Sequence, residues 1–255
     1  MYPRPKIIRG IEAASNMFPY QVALTMLTPS HQFVSCGGSL IHKSWVLTAA
    51  HCLDEFVEIE VILGAHNRKN PREPTQQRFK VYPRNFIIHS NSPSADIGLI
   101  RLPAPAVLNK AVRPIQLPCF NDVRKNYVGN TVIVSGWGQT KDESNSIASL
   151  LKYAVSKIIP NRECTNIYEE FFNALEIPER NIFCAKGISD SSVCSGDSGG
   201  PLVSLNSDAK PDKLIGVISF AMVGQCAKNF PQGFTRVDTF LRWINEKTRG
   251  DVQIC

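Results

Sequence analysis

The sequence predicts an all-β chain, a barrel or a sandwich, on three observations. Its strand-like apolar runs are short, Gly, Pro, Asn and Asp separate them, and helical spacing is clear only at the tail. The runs are residues 21–27, 45–49, 59–63, 79–82 and 97–102, followed by 131–135, 150–159 and 214–220. In the tail, from Asp238 to Lys247, Phe240, Leu241 and Ile244 recur at helical spacing, with Asp238 as the expected N-cap. Between the two sets of runs, residues 103–118 carry four prolines and few strand signals, which predicts a linker between two halves. No internal period and no low-complexity segment interrupts this pattern.

Composition narrows the function classes. A chain of 255 residues with 43% hydrophobic and 20% charged residues is globular and ordered. Nothing approaches the roughly 18 consecutive apolar residues of a membrane helix, so no membrane partner is expected. The formal charge of +6 favours acidic partners. However, the densest basic stretch is only Arg68, Lys69 and Arg72, which fits a solvated surface and no specific nucleic-acid partner. Eight cysteines occur without a CxxC pair or zinc spacing, which predicts disulfides and an oxidising, extracellular setting. Met1 to Lys6 lacks an apolar signal core, so the numbering is expected to begin after signal removal or at an added start codon. No N-x-S/T acceptor occurs, and no N-glycan is expected.

Three separated segments carry chemistry: Leu47-Thr48-Ala49-Ala50-His51-Cys52, Ala95-Asp96-Ile97-Gly98-Leu99-Ile100, and Gly196-Asp197-Ser198-Gly199-Gly200-Pro201. A serine hydroxyl needs a base to take its proton and donors for the oxyanion that forms. Ser198 is the candidate nucleophile, with the amides of Gly196 and Ser198 as oxyanion donors. His51 is the candidate base, and Asp96 the carboxylate that fixes its tautomer and stabilises the imidazolium. Singly these are a glycine-rich turn, a packed histidine and a surface carboxylate. Jointly, in the order His–Asp–Ser, they are expected to act as a nucleophilic triad.

With Ile7-Ile8-Arg9-Gly10, Pro19-Tyr20-Gln21-Val22, Cys36-Gly37-Gly38-Ser39-Leu40-Ile41, Ser135-Gly136-Trp137-Gly138 and Ser219-Phe220-Ala221, these segments make the chain resemble the trypsin/chymotrypsin family from Ile7 to the C-terminal helix. The resemblance implies two packed six-stranded antiparallel β-barrels with a C-terminal α-helix. Residues 7–112 would form one half and 113–255 the other, within one peptidase domain, with 1–6 as an activation-peptide remnant. It implies a secreted serine endopeptidase acting through an acyl-enzyme. Activation would be a cut by a trypsin-like protease between Lys6 and Ile7, freeing an Ile7 ammonium to pair with Asp197. Arg9 stands where the family usually has Gly. Activity is expected to rise as His51 loses its proton and to fade as the Ile7 ammonium does. Partners would be protein or peptide substrates, the activating protease and protein inhibitors.

By the same resemblance Cys36 pairs with Cys52, Cys164 with Cys184, and Cys194 with Cys226. Val132 and Ser204 stand where many vertebrate members have another pair. Cys119 and Cys255 remain, to pair with each other, which is favoured, or with another chain. The Cys164–Cys184 loop, which contains Glu169, Glu170, Phe171 and Phe172, is expected to be a short surface helix or, less favoured, part of an extended subsite. The implied substrate pocket comprises Ser192, Val193, Ser219, Phe220, Ala221 and Gln232. Ser192 replaces the aspartate that selects Lys or Arg, and burying a cation there without a carboxylate costs several kcal/mol. Ala221 and Gln232 narrow the pocket, so small to medium uncharged side chains are expected before the cut. Large aromatics come second, and Gln232 is alternatively a site for a polar side chain. No cofactor or metal is expected, because the segment Ala65–Pro74 is basic where calcium needs carboxylates. Two other classes remain: a non-catalytic homologue that only binds, and a cationic protein for acidic surfaces.

Overall fold

The computed structural model describes residues 10–90, 93–140, 147–172, 177, 180–205, 212–222 and 224–255. Lys6, Ile7 and Arg9 lie outside the described residues, as do the side chains of Phe171 and Phe172.

The first half contains β2 (Gln21–Leu27), β3 (Phe33–His42), β4 (Trp45–Thr48), β5 (Glu58–Leu63), β6 (Gln77–Val81), β7 (Phe86–Ile88) and β8 (Gly98–Arg101). They form one curled antiparallel sheet in the order β6-β5-β2-β3-β4-β8-β7. The second half contains β9 (Thr131–Gly136), β10 (Lys152–Ile159), β11 (Ile182–Gly187), β12 (Pro201–Ser204), β13 (Lys213–Phe220) and β14 (Gln232–Arg236). These six close into a barrel because β10 pairs with both β11 and β9. β1 (Ile11–Glu12), although first in the chain, pairs with β10 of the second half.

The two expected β halves and the C-terminal helix are therefore present, one half closed and the other curled. Val22, Leu24, Leu47, Ile59 and Leu99 are fully buried in the first core, and Val132, Val134, Leu202 and Phe234 in the second. β10 alternates buried and less buried side chains along its length, the period-2 signature of a half-buried strand. β3, β12 and β14 escaped the sequence reading because their Gly and Pro residues resemble turns, and ladder pairing on both sides overrides that local preference.

Two helices are present among the described residues. α1 (Asn161–Phe172) spans the Cys164 loop and buries Cys164 and Tyr168 one turn apart, with Glu169 and Glu170 exposed. It is the expected surface helix. α2 (Leu241–Lys247) follows a 3₁₀ turn, Asp238–Phe240. Asp238 is not its N-cap. Its carboxylate instead accepts Arg236 Nε at 3.0 Å, Arg236 Nη2 at 2.7 Å and Arg124 N at 2.9 Å, and no side chain caps the helix. A charged guanidinium outcompetes a terminal amide for a buried carboxylate.

Candidate active site

The segments that carry chemistry emerge at strand ends on facing edges of the two halves. His51 sits in a 3₁₀ turn (Ala50–Cys52) just after β4, and Asp96 lies two residues before β8, which pairs with β4. That pairing brings the two side chains together. His51 Nδ1 is 2.8 Å from Asp96 Oδ2, and the backbone N–H of His51 donates to Asp96 Oδ1 at 3.0 Å. A carboxylate only accepts, so Nδ1 carries the proton and Nε2 is left as the basic nitrogen. Ser219 Oγ donates to the same Asp96 Oδ2 at 2.5 Å, and Thr235 Oγ1 donates to Asp96 O at 2.9 Å. Burial pushes the Asp96 carboxyl upward, but the bonds from His51 and Ser219 outweigh it and hold the group below its ordinary value. Asp96 is nearly enclosed, whereas 46% of the His51 side chain is exposed, so the imidazole is anchored on one side and open on the other.

Ser198 lies in the turn before β12, and its carbonyl accepts Gly37 N at 2.7 Å. Gly37 O in turn accepts Thr48 Oγ1 at 2.8 Å, so the serine turn is bonded to the strands that present His51. A Cβ at Gly199 would fall 2.6 Å from Gly37 O and closer still to Thr48 Oγ1, at a φ of +77°. Only glycine permits that contact. Asp197 is fully buried: Oδ1 accepts Gly138 N at 2.7 Å and Oδ2 accepts Cys194 N at 3.1 Å. Desolvation dominates these two bonds and pushes its carboxyl up to about 6. A Cβ at Gly138 would overlap this carboxylate, which is the steric reason for the glycine in Ser135-Gly136-Trp137-Gly138.

A cavity of about 430 Å³ joins the pieces. His51, Ser198, Gly196, Val193 and Ala221 line it together, and Ser219 and Phe220 complete that wall. Residues 7–244 match the trypsin domain family. Brachyurin from Leptuca pugilator is 35% identical over 246 residues, covering 95% of this chain and 98% of its own length. Chymotrypsin from Phaedon cochleariae is 33% identical over 246 residues, covering 95% and 82% respectively. The chain belongs to the trypsin family. Among solved structures, the fold is similar to that of HL collagenase, with a TM-score of 0.79, 33% identity, and coverage of 95% of this chain and 98% of that one.

This trypsin-family chain is a serine endopeptidase with the chymotrypsin fold. Its four disulfides are Cys36–Cys52, Cys119–Cys255, Cys164–Cys184 and Cys194–Cys226, so the two remaining cysteines pair with each other. Ser204 and Val132 are direct register partners on β12 and β9, so the absent pair would have bridged adjacent strands. Cys36, His51 and Cys52 group closely enough to suggest a metal site, but both sulfurs belong to the Cys36–Cys52 disulfide.

Ser192 and Gln232, both expected in the pocket, are buried and do not line this cavity, and Gln232 Nε2 donates to Ser192 Oγ at 2.8 Å and to Phe230 O at 3.0 Å. Gln232 Oε1 is buried without a partner among the described residues. Phe220 packs edge-on against Tyr168 of α1 at 5.4 Å, and Tyr168 Oη donates to Pro231 O at 2.9 Å, so α1 buttresses the pocket wall. Sequence reasoning missed Val34, Ser35 and Phe56, which also line the cavity. They sit in ordinary apolar or loop stretches, and no motif marks them.

Proposed function

We propose that Ser198 is the nucleophile of this endopeptidase, with His51 as its base and Asp96 as the group that orients His51. The observation that carries the reading is the 2.8 Å contact between His51 Nδ1 and Asp96 Oδ2, with His51 and Ser198 on one cavity. Nε2 takes the Ser198 proton as Oγ attacks the scissile carbonyl, and the imidazolium faces the Asp96 carboxylate. The Gly196 and Ser198 amides receive the oxyanion. His51 then returns the proton to the leaving amine, and water repeats the sequence on the acyl-enzyme.

Residues 1–6 are the activation remnant, and the halves 7–112 and 113–255 form one peptidase domain. The cut between Lys6 and Ile7, by a trypsin-like protease, frees an ammonium for Asp197. This is supported by a fully buried carboxylate that, among the described residues, meets only neutral N–H groups. The four disulfides support secretion. Protein inhibitors fitting the open cavity are further partners.

The pocket accepts small to medium uncharged side chains. Val193 and Ala221 line the cavity, the buried Gln232–Ser192 pair adjoins Val193 in the chain, and no carboxylate stands at Ser192 to receive Lys or Arg. The test is hydrolysis of a peptide library by protein cut at Lys6–Ile7, beside Ser198→Ala. Cleavage after Ala, Val or Leu, lost in the variant, is expected. Cleavage after Lys or Arg overturns the specificity, and no cleavage despite a verified Ile7 terminus overturns the catalytic reading in favour of a binding protein.

A further inference from the structure

The segment Ala65–Pro74 was legible only as basic where calcium would need carboxylates, yet the loop 65–76 is organised around one acid. Glu73 Oε2 accepts His66 N at 2.9 Å and Gln76 Nε2 at 2.8 Å, and Oε1 accepts Asn67 N at 2.8 Å. Partial burial raises the Glu73 carboxyl, and these three donors together with the charge of His66 more than reverse it. The two backbone amides held in this way belong to the residues that cross to the other half of the molecule. His66 O accepts Leu151 N at 2.9 Å and the indole Nε1 of Trp137 at 3.2 Å. Asn67 bridges Leu150, and Arg68 N donates to Ser149 O at 3.0 Å.

The contacts continue inward without a gap. Ala148 N donates to Trp137 O at 2.8 Å, Gln139 N to Ser195 O at 2.8 Å, and Gly138 N to Asp197 Oδ1 at 2.7 Å. Ser195 and Asp197 flank Gly196, whose amide the proposed mechanism uses. From these contacts we infer that Glu73 is a positioning residue for catalysis: by holding His66 and Asn67 it braces Trp137 and residues 148–151, and through them the turn that carries the Gly196 amide. The inference rests on the assignment of Ser198 and Gly196 above. Glu73 touches no substrate and acts only through that chain of bonds.

Contiguity alone does not establish coupling, so the test is a double-mutant cycle. Glu73→Gln keeps the shape of the side chain and loses the charge, and Trp137→Phe keeps an aromatic ring and loses the bond to His66 O. Each is measured in protein cut at Lys6–Ile7, with active sites counted by an acylating titrant, at a temperature below every melting transition. The expected result is a fall in kcat of about tenfold in each single variant, KM within about twofold, and a double variant no worse than either single. The buried Trp137 indole should also shift its fluorescence emission in Glu73→Gln. Unchanged kcat in Glu73→Gln, or multiplicative effects in the double variant, overturns the inference and leaves Glu73 as the fastener of its own loop. Should Trp137→Phe fail to fold, the kcat of Glu73→Gln decides alone, an unchanged value being the overturning result. Persistent cleavage by Ser198→Ala would instead overturn the nucleophile assignment and not the brace.

Discussion

Two buried carboxylates flank the proposed nucleophile, and their surroundings drive them in opposite directions. Asp96 is met by an imidazole N–H, a backbone N–H and a serine hydroxyl, and its carboxyl stays below its ordinary value. Asp197 is met by two backbone N–H groups in full burial, and its carboxyl climbs from 3.8 to about 6. The first site is electrostatically complete within the described residues. The second is a carboxylate whose charge calls for a cation. The bonds around Asp96 favour its ionised form, whereas the ionised form of Asp197 would be favoured by the Ile7 ammonium proposed above.

The largest break in this comparison is Asp96→Asn. An amide in that position offers a donor where an acceptor is needed and turns the imidazole to the wrong tautomer. A fall in kcat of about 10⁴-fold is expected, with the fold intact. A loss below tenfold, measured in titrated enzyme, would mean that His51 does not depend on Asp96.

The next effect belongs to Asp197. Its folded value near 6 lies above its ordinary 3.8, so neutral Asp197 stabilises the fold at low pH and that contribution is lost as pH rises through 6. In uncut protein the loss is on the order of 3 kcal/mol between about pH 4 and pH 7, read as a falling melting temperature. An Ile7 ammonium keeps the carboxylate ionised throughout, so the cut protein should not show this fall. Parallel melting curves for the two forms would remove the ammonium from Asp197.

The contrast also explains what was legible. The glycines beside Ser198 and in the Trp137 segment were readable because a side chain at Gly199 or Gly138 would collide with Thr48 or Asp197, and such steric demands leave a fixed letter in the sequence. The cysteine framework was readable for a similar reason. Ser219 was marked for the pocket, but its bond to Asp96 spans 123 residues and no local pattern announces it. Glu73 was invisible as an organiser because its donors are mostly backbone amides, which any residue supplies. The expected cap at Asp238 failed for the same reason in reverse, since Arg236 competes from two positions away with a stronger donor.

A third buried polar group, Gln232, extends the comparison, and it carries no charge. Gln232 reaches across to Ser192 and leaves Oε1 without a partner among the described residues, so the group bonded to Ser192 is a neutral amide. Filling space and supplying charge have different consequences for substrates. In the proposed pocket a cation would meet no counter-charge at Ser192 or Gln232, while an apolar side chain would be limited chiefly by length. Gln232→Gly should therefore admit Phe, Tyr and Leu more readily without admitting Lys or Arg. The change in kcat/KM for Phe over Ala is expected at about 10- to 200-fold, the range that shape alone supplies in an apolar pocket. The measurement is paired hydrolysis of peptides differing only in the residue before the cut. An unchanged Phe-to-Ala ratio would place the limit on size at Val193 and Ala221, and a gain for Lys would show that a carboxylate elsewhere reaches the pocket.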